Sequence, residues 1–126
     1  MHRLLRPSGW FVLSISHPFF ATPSAGWVRD KDGKKLHWAV DRYFEEGPHE
    51  QDWPPGVDKG LIWFHRTLTT YFRAFKETRF IIEDLVEPMP APDKLERFPD
   101  FKDDVRMCHF LVFKLRKSNH PTRKPT

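Results

Sequence analysis

Cysteine is almost absent. Cys108 stands alone among 126 residues, so no intramolecular disulfide can form and a reducing compartment is expected. No apolar run reaches membrane length. The first ten residues carry Arg3 and Arg6 with only a short apolar stretch beyond them and no cleavage site, so neither a bilayer span nor a secretory leader is expected. The seven histidines show no H-x-x-x-H spacing and no C-x-x-C accompanies them, which argues against a metal site. Glycine is scarce too: six residues scattered at turns, with no G-x-G among them. Charge of one sign barely dominates. The net +4 sits largely in Lys114, Arg116, Lys117, Arg123 and Lys124, without the interleaved aromatics that would stack bases, so no nucleic-acid partner is expected. The chain reads as soluble and cytoplasmic, with no membrane association.

Aromatic residues are what the chain has in quantity, with 12 Phe and 5 Trp, and its 12 Pro imply long irregular stretches. Its length allows one domain at most. Met1 to Leu5 reads as the last turn of a helix, and Pro7-Ser8-Gly9 as a turn. Trp10 to Ser16 is short and almost wholly apolar, which suits a strand buried on both faces and ended by His17-Pro18. In the aromatic-rich stretch 19–64, Asp32-Gly33 is a hairpin signal with Trp27-Val28 and Leu36 to Val40 as arms. Glu46 to Gly60 reads as loop, with Glu45-Glu46 solvated. Leu68, Tyr71, Phe72 and Phe75 share one helical stripe, Thr67 is a credible N-cap, and Tyr71 reads as core. Phe80 to Glu87 and the run around Phe110 to Phe113 read as strands. Between them lie a Pro-rich stop and a short helix or loop over Asp93 to Asp104, and Ser118 onward is expected to be disordered.

In that order and spacing the segments resemble class I S-adenosylmethionine-dependent methyltransferases. Leu5-Arg6-Pro7-Ser8-Gly9 resembles the turn feeding the family's fifth strand, and Phe11 to Pro18 resembles that strand with its His-Pro exit. His65 to Tyr71 resembles the start of the next helix. Phe80-Ile81-Ile82 with Val86-Glu87-Pro88 resembles the sixth strand, and Arg106 to Phe113 the seventh. The resemblance runs over about 1–117. It implies an α/β fold: part of a Rossmann-like sheet, its last three strands, with the final one antiparallel between the other two. The segment 19–64 is then a substrate-side insert, and 118–126 a disordered basic tail. Ser8 departs from a position that is often Gly. Thr78-Arg79 replaces an Ala-Gly and removes the preferred left-handed stop of the helix.

The same resemblance implies a small-molecule methyl acceptor and S-adenosylmethionine as cofactor. The Gly-rich turn and the acidic residue that position this donor in the family are not in the sequence, so cofactor-binding residues are none and the chain alone is not expected to bind it. Ligands of such sheets lie outside the carboxyl ends of the parallel strands. That edge would gather His17 and His65 as candidate catalytic proton acceptors, although His17 also fits a turn residue bonded to backbone and His65 a neighbour of the helix start. Arg66, Trp27, Trp38 and Glu87 would form the substrate wall. Arg66 would face an anionic group or pair with Glu87, and the Trp set would serve as hairpin packing or as a cation cage. Cys108, in an apolar strand, is expected to be inert. Three functions remain in contention: a methyltransferase part, a non-catalytic remnant binding a partner through an open sheet edge, and an unrelated small α+β binding protein. For the first two the expected partners are the missing N-terminal half or a second copy.

Overall fold

The computed structural model describes residues 1–50 and 61–119. Trp53, the rest of the segment read as loop, and the basic residues Arg123 and Lys124 lie outside the described residues. A short 3-10 turn over His2–Leu4 leads into strand β1 (Trp10–Ser16). Two hairpins follow: β2 (Gly26–Arg29) with β3 (Lys35–Ala39), and β4 (Gly47–Glu50) with β5 (Ile62–His65). Helix α1 (Leu68–Glu77), strand β6 (Phe80–Val86), helix α2 (Pro92–Arg97), a 3-10 stretch over Pro99–Arg106 and strand β7 (Phe110–Lys117) complete the order.

The main sheet has the order β1-β7-β6. β7 is antiparallel to both neighbours, with Trp10 opposite Arg116 on one side and Phe80 opposite Lys117 on the other, so β1 and β6 run parallel to each other across it. The alternation of β7 explains its central place. Leu111, Phe113 and Leu115 are at most 1% exposed, and as every second residue they all point to one face. Against that face lie Phe75 of α1 and Phe80, with Leu5, Phe11, Leu13, Ile15, Tyr71 and Ile82 partly buried around them. Phe75 meets Phe113 edge to face at 4.9 Å, a favoured aromatic geometry.

The other face corrects the expectation of a strand covered on both sides. In β1 the residues that point away from α1 stand open, with Trp10 58% and Val12 55% exposed. Only one face of the sheet carries a helix among the described residues. On the open face Glu83 pairs with Arg116 and, at 3.7 Å, with Lys114, whose ammonium lies over Trp10, 5.2 Å from the ring centroid. Half of the apolar stripe of α1 is likewise uncovered: Tyr71 and Phe75 meet the core, whereas Leu68 and Phe72 are exposed.

Two backbone positions carry the turns at the far end of the sheet. Ser8, standing where the resemblance has Gly, adopts φ 59°, and Arg79 adopts φ 62°. Both are left-handed, so the helix stop expected to be lost is kept, with an arginine in it. Residues following β7 pin both positions. The Ser118 amide donates to the Arg79 carbonyl at 3.0 Å, and Asn119 accepts from the Ser8 amide at 2.9 Å. These two residues are therefore hydrogen-bonded rather than disordered.

The strand β4 lies in the stretch read as loop. A two-stranded ribbon has a free edge on each strand, so Pro48, which has no N–H to donate, is tolerated opposite Phe64.

A left-handed non-glycine residue costs about 1–2 kcal/mol, partly offset by the lower chain entropy it carries relative to glycine. Arg79→Gly is therefore expected to stabilise the chain by about 0.5–1 kcal/mol in denaturant melts. Gly9→Ala is expected to destabilise it, because a Cβ there would lie 2.8 Å from the Arg6 carbonyl oxygen.

Candidate functional site

β1 and β6 each end in one polar residue followed by proline, His17-Pro18 and Glu87-Pro88. Because the two strands are parallel, these exits emerge at the same edge. His17 Nε2 lies 2.8 Å from Glu87 Oε1. The other ring nitrogen, Nδ1, accepts the Phe19 amide N–H at 3.2 Å. An acceptor at Nδ1 carries no proton, so these bonds assign the proton to Nε2, which donates it to the carboxylate. The ring is 6% exposed and stacks on Phe19 with centroids 5.4 Å apart. Glu87 keeps 57% of its side-chain surface exposed, and its Oε2 has no hydrogen-bond partner among the described residues.

The Cys108 sulfur completes a cluster in which the potential ligand atoms of His17, Glu87 and Cys108 all lie within 4.8 Å of one another. Hydrogen bonding argues against a metal ion there. A metal-bound imidazole donates its remaining N–H, whereas Nδ1 of His17 accepts. The Cys108 thiol donates to the Phe110 carbonyl at 2.9 Å. Burial pushes its pKa above the ordinary value, the bond to Phe110 works the other way, and the Glu87 carboxylate adds to the rise. A thiol so placed stays protonated and is a poor nucleophile.

A cavity of about 310 Å³ opens beside this dyad, walled by Phe19, Phe20, Trp38, Val40 and Met107. The β2–β3 hairpin supplies Trp38, which stacks on Phe20 at 5.0 Å and 16°. Arg106 also reaches this wall but is committed elsewhere: it donates to the carbonyls of Lys35 and Leu36, pairs with Asp103, and lies 4.8 Å from the Trp27 ring centroid. Trp27 meets a second cation, Lys35, at 5.1 Å. Its ring is thus engaged by the chain's own cations and meets Trp38 edge to face at 5.6 Å, and Trp38 alone of the two lines the cavity beside the dyad.

The second candidate histidine does a different job. His65 is 1% exposed, and its Nε2 donates to the Tyr43 carbonyl at 2.6 Å. The same loop closes over the start of α1. The Tyr43 hydroxyl accepts from the Leu68 amide at 2.9 Å, Glu46 Oε1 accepts from the Thr67 amide at 2.7 Å, and the Thr67 hydroxyl accepts from the Thr70 amide at 3.2 Å. Three of the amides that a helix start leaves unpaired are thereby satisfied. His65 is accordingly a buried clamp that also lines a larger cavity, its Nδ1 without a hydrogen-bond partner among the described residues, and Glu46 is exposed as expected but also caps the helix. Arg66 donates to the His65 carbonyl at 2.8 Å and lies near the Phe64 ring; Glu87, its alternative partner, bonds to His17 instead. Arg66 lines a second, larger cavity of about 470 Å³ with Ile15, Ser16, Pro18, Ala21 and Tyr71. The segment 16–21 separates the two cavities.

With this geometry in place, known proteins can be compared. No protein-family model matches the chain. A crystal structure from Listeria monocytogenes, of a protein assigned as an S-adenosylmethionine dependent methyltransferase, superposes with a TM-score of 0.81 at 34% identity, over 94% of this chain and 52% of that one. An S-adenosylmethionine dependent methyltransferase from Mesorhizobium loti superposes with a TM-score of 0.78 at 32% identity, over 92% of this chain and 52% of that one. The chain is related to the S-adenosylmethionine-dependent methyltransferases and matches their C-terminal half. An uncharacterized protein of Haemophilus influenzae is 28% identical over 119 residues, 93% of this chain and 45% of the relative. The chain thus spans about half the length of the methyltransferases it matches. No helix among the described residues is long and apolar enough to cross a membrane.

The methyltransferase relationship allows a test of cofactor fit. In α/β folds a glycine-rich turn after a parallel strand lets successive backbone amides approach an anionic part of a bound cofactor. Here the turns after the parallel strands begin His17-Pro18 and Glu87-Pro88, and proline has no N–H. The positive-φ glycines, Gly33 and Gly47, belong to the small hairpins. The described residues therefore do not provide the donor's cradle.

Tyr43 is the residue of this region that sequence reasoning passed over, and the capping role of Glu46 and the place of Cys108 beside the dyad went unread with it. Only Glu46 carries a local hint, a carboxylate within a short loop ahead of a Thr-capped helix. Its pKa is lowered by hydrogen bonds from the Thr70 side chain first and the Thr67 amide second. A depressed carboxylate contributes stability that is present above its unfolded pKa of about 4.3 and is lost as pH falls through the lower, folded value. Acid titration of α1 by circular dichroism is expected to show this loss in the wild type and a flatter profile in Glu46→Gln. Thr67→Ala is expected to cost about 1 kcal/mol at every pH.

Proposed function

We propose that this chain forms the substrate-side wall of a methyltransferase, the part of the fold that holds a small-molecule methyl acceptor, while the S-adenosylmethionine-binding half is supplied by residues outside this sequence. The observation that carries the reading is the meeting of His17 and Glu87 at 2.8 Å where two parallel strands end at one edge, in a chain whose fold follows one half of proteins assigned to this chemistry. The aromatic insert lies beside that edge through the contact of Trp38 with Phe20, as a substrate wall requires.

Two measurements test it. Calorimetric titration of the purified chain with S-adenosylmethionine is expected to show no micromolar binding. A fusion of this chain behind the N-terminal half of the Listeria monocytogenes relative is expected to bind the donor at micromolar concentration. Tight binding by the chain alone, or a folded fusion that ignores the donor, would overturn the reading.

A second reading rests on the edge of β1, which pairs with β7 alone among the described residues. A seven-residue apolar strand without charge or internal proline templates pairing with another chain. In this reading the chain is a non-catalytic interaction module. Light scattering of the isolated chain is expected to show self-association, and Val12→Lys is expected to reduce it. A monodisperse wild-type monomer would set this second reading aside.

A further inference from the structure

We propose that the aromatic slot beside Glu87 binds a flat nitrogen base, which donates an N–H to the free carboxylate oxygen, with His17 acting as a positioning residue that holds the other oxygen. The substrate class named here rests on the methyltransferase reading only in making this ligand the acceptor; its binding does not.

Most polar groups on the wall are already committed to partners within the chain. Both nitrogens of His17 are engaged, Nδ1 with the Phe19 amide and Nε2 with Glu87 Oε1, so the ring has no lone pair to offer a ligand. The Cys108 thiol is bonded to the Phe110 carbonyl. The Arg106 guanidinium is held by two backbone carbonyls, Asp103 and the Trp27 ring. What remain are the Trp38 indole N–H, buried and without a partner among the described residues, and Glu87 Oε2, an acceptor on a side chain that is 57% exposed. A lone carboxylate acceptor selects a donor, and a cationic donor most strongly.

The shape of the ligand follows from the walls. Phe19, Phe20 and Trp38 line a volume of about 310 Å³, and Phe20 and Trp38 stack on each other with their planes nearly parallel, 16° apart. Such walls favour a planar ring, and an aromatic face also favours positive charge. The role of His17 is to fix the carboxylate rotamer. Its own ring cannot turn without giving up the Phe19 amide and the stacking on Phe19. The sequence assignment is therefore reversed: Glu87 meets the ligand and His17 stands behind it.

Saturation-transfer NMR on the full chain tests this with benzamidine, its neutral counterpart benzamide, and benzoate. Benzamidine is expected to bind about tenfold or more tightly than benzamide, the scale of one charged hydrogen bond in a partly dry site, and benzoate is expected not to bind. Glu87→Gln should bring benzamidine and benzamide within about twofold of each other. His17→Ala should do the same, while His17→Gln, which restores an N–H near the position of Nε2, should keep the preference; a purely structural role for His17 would not follow that donor. In the unsubstituted chain, benzamidine should also slow alkylation of Cys108, which lines the slot. Equal binding of benzamidine and benzamide, a preference for benzoate, or unprotected Cys108 would overturn the assignment. No methyl donor enters any arm. Failure of the fusion to bind S-adenosylmethionine therefore leaves this result standing, and failure of benzamidine leaves the methyltransferase relationship standing.

Discussion

The antiparallel pairing of β7 with both β1 and β6 is the constraint from which the site descends. Two parallel strands cannot be joined by a tight turn and need a crossover, and here they are not hydrogen-bonded to each other. β7 lies between them, satisfies the ladder of each, and thereby sets their separation and their common direction. His17 and Glu87 are 70 positions apart in sequence and 2.8 Å apart in space because each is the first residue beyond its strand. The same strand supplies Leu111, Phe113 and Leu115, the least exposed apolar side chains of the core. Stability and site geometry thus rest on one element.

The 41–46 loop plays the complementary part on the other side of the edge. It bonds the buried His65 ring and the first amides of α1, so the end of β5 and the start of the helix are fixed to one another without a regular strand between them. That clamp holds Arg66 and the larger cavity in place. The result is two depressions divided by 16–21, one offering a carboxylate and the other a guanidinium. Ligand chemistry can therefore differ between two pockets built from the same short connection.

Much of this architecture was legible in the sequence because it is written in local patterns. The apolar runs at Trp10–Ser16 and Phe110–Phe113, the stripe through Tyr71 and Phe75, the Thr67 cap and the Asp32-Gly33 turn all have signatures within a few residues, and each lies in the element expected. The β4 strand did not announce itself, since Gly47, Pro48 and His49 have weak strand propensity and pair only through distant residues of β5. Glu46 caps a helix that starts 22 positions later, counting to Leu68, so no capping-box spacing reveals it. Roles at the edge were the least legible. Residue type places His17 and Glu87 together as candidates, but which of them is free to meet a ligand depends on the Phe19 amide and on rotamers, which no spacing encodes. Trp27 and Trp38 occupy equivalent hairpin positions, and only tertiary contacts with Lys35, Arg106 and Phe20 separate them.

The central strand of the sheet is also the last strand among the described residues. Trp10 waits for Arg116 and Phe80 for Lys117, so during synthesis β1 and β6 do not meet the partner they share until β7 has emerged. Closing contacts of such sequence separation is slow, because the entropy of the intervening loop is lost before the contact forms. The hairpins and α1 can form early from local contacts, whereas the sheet, the core and the His17–Glu87 edge must appear together, at the end. Until β7 arrives, the core-facing side chains of β1 and β6 lack the cover of Leu111, Phe113 and Leu115, and apolar strands left open in this way are prone to aggregate.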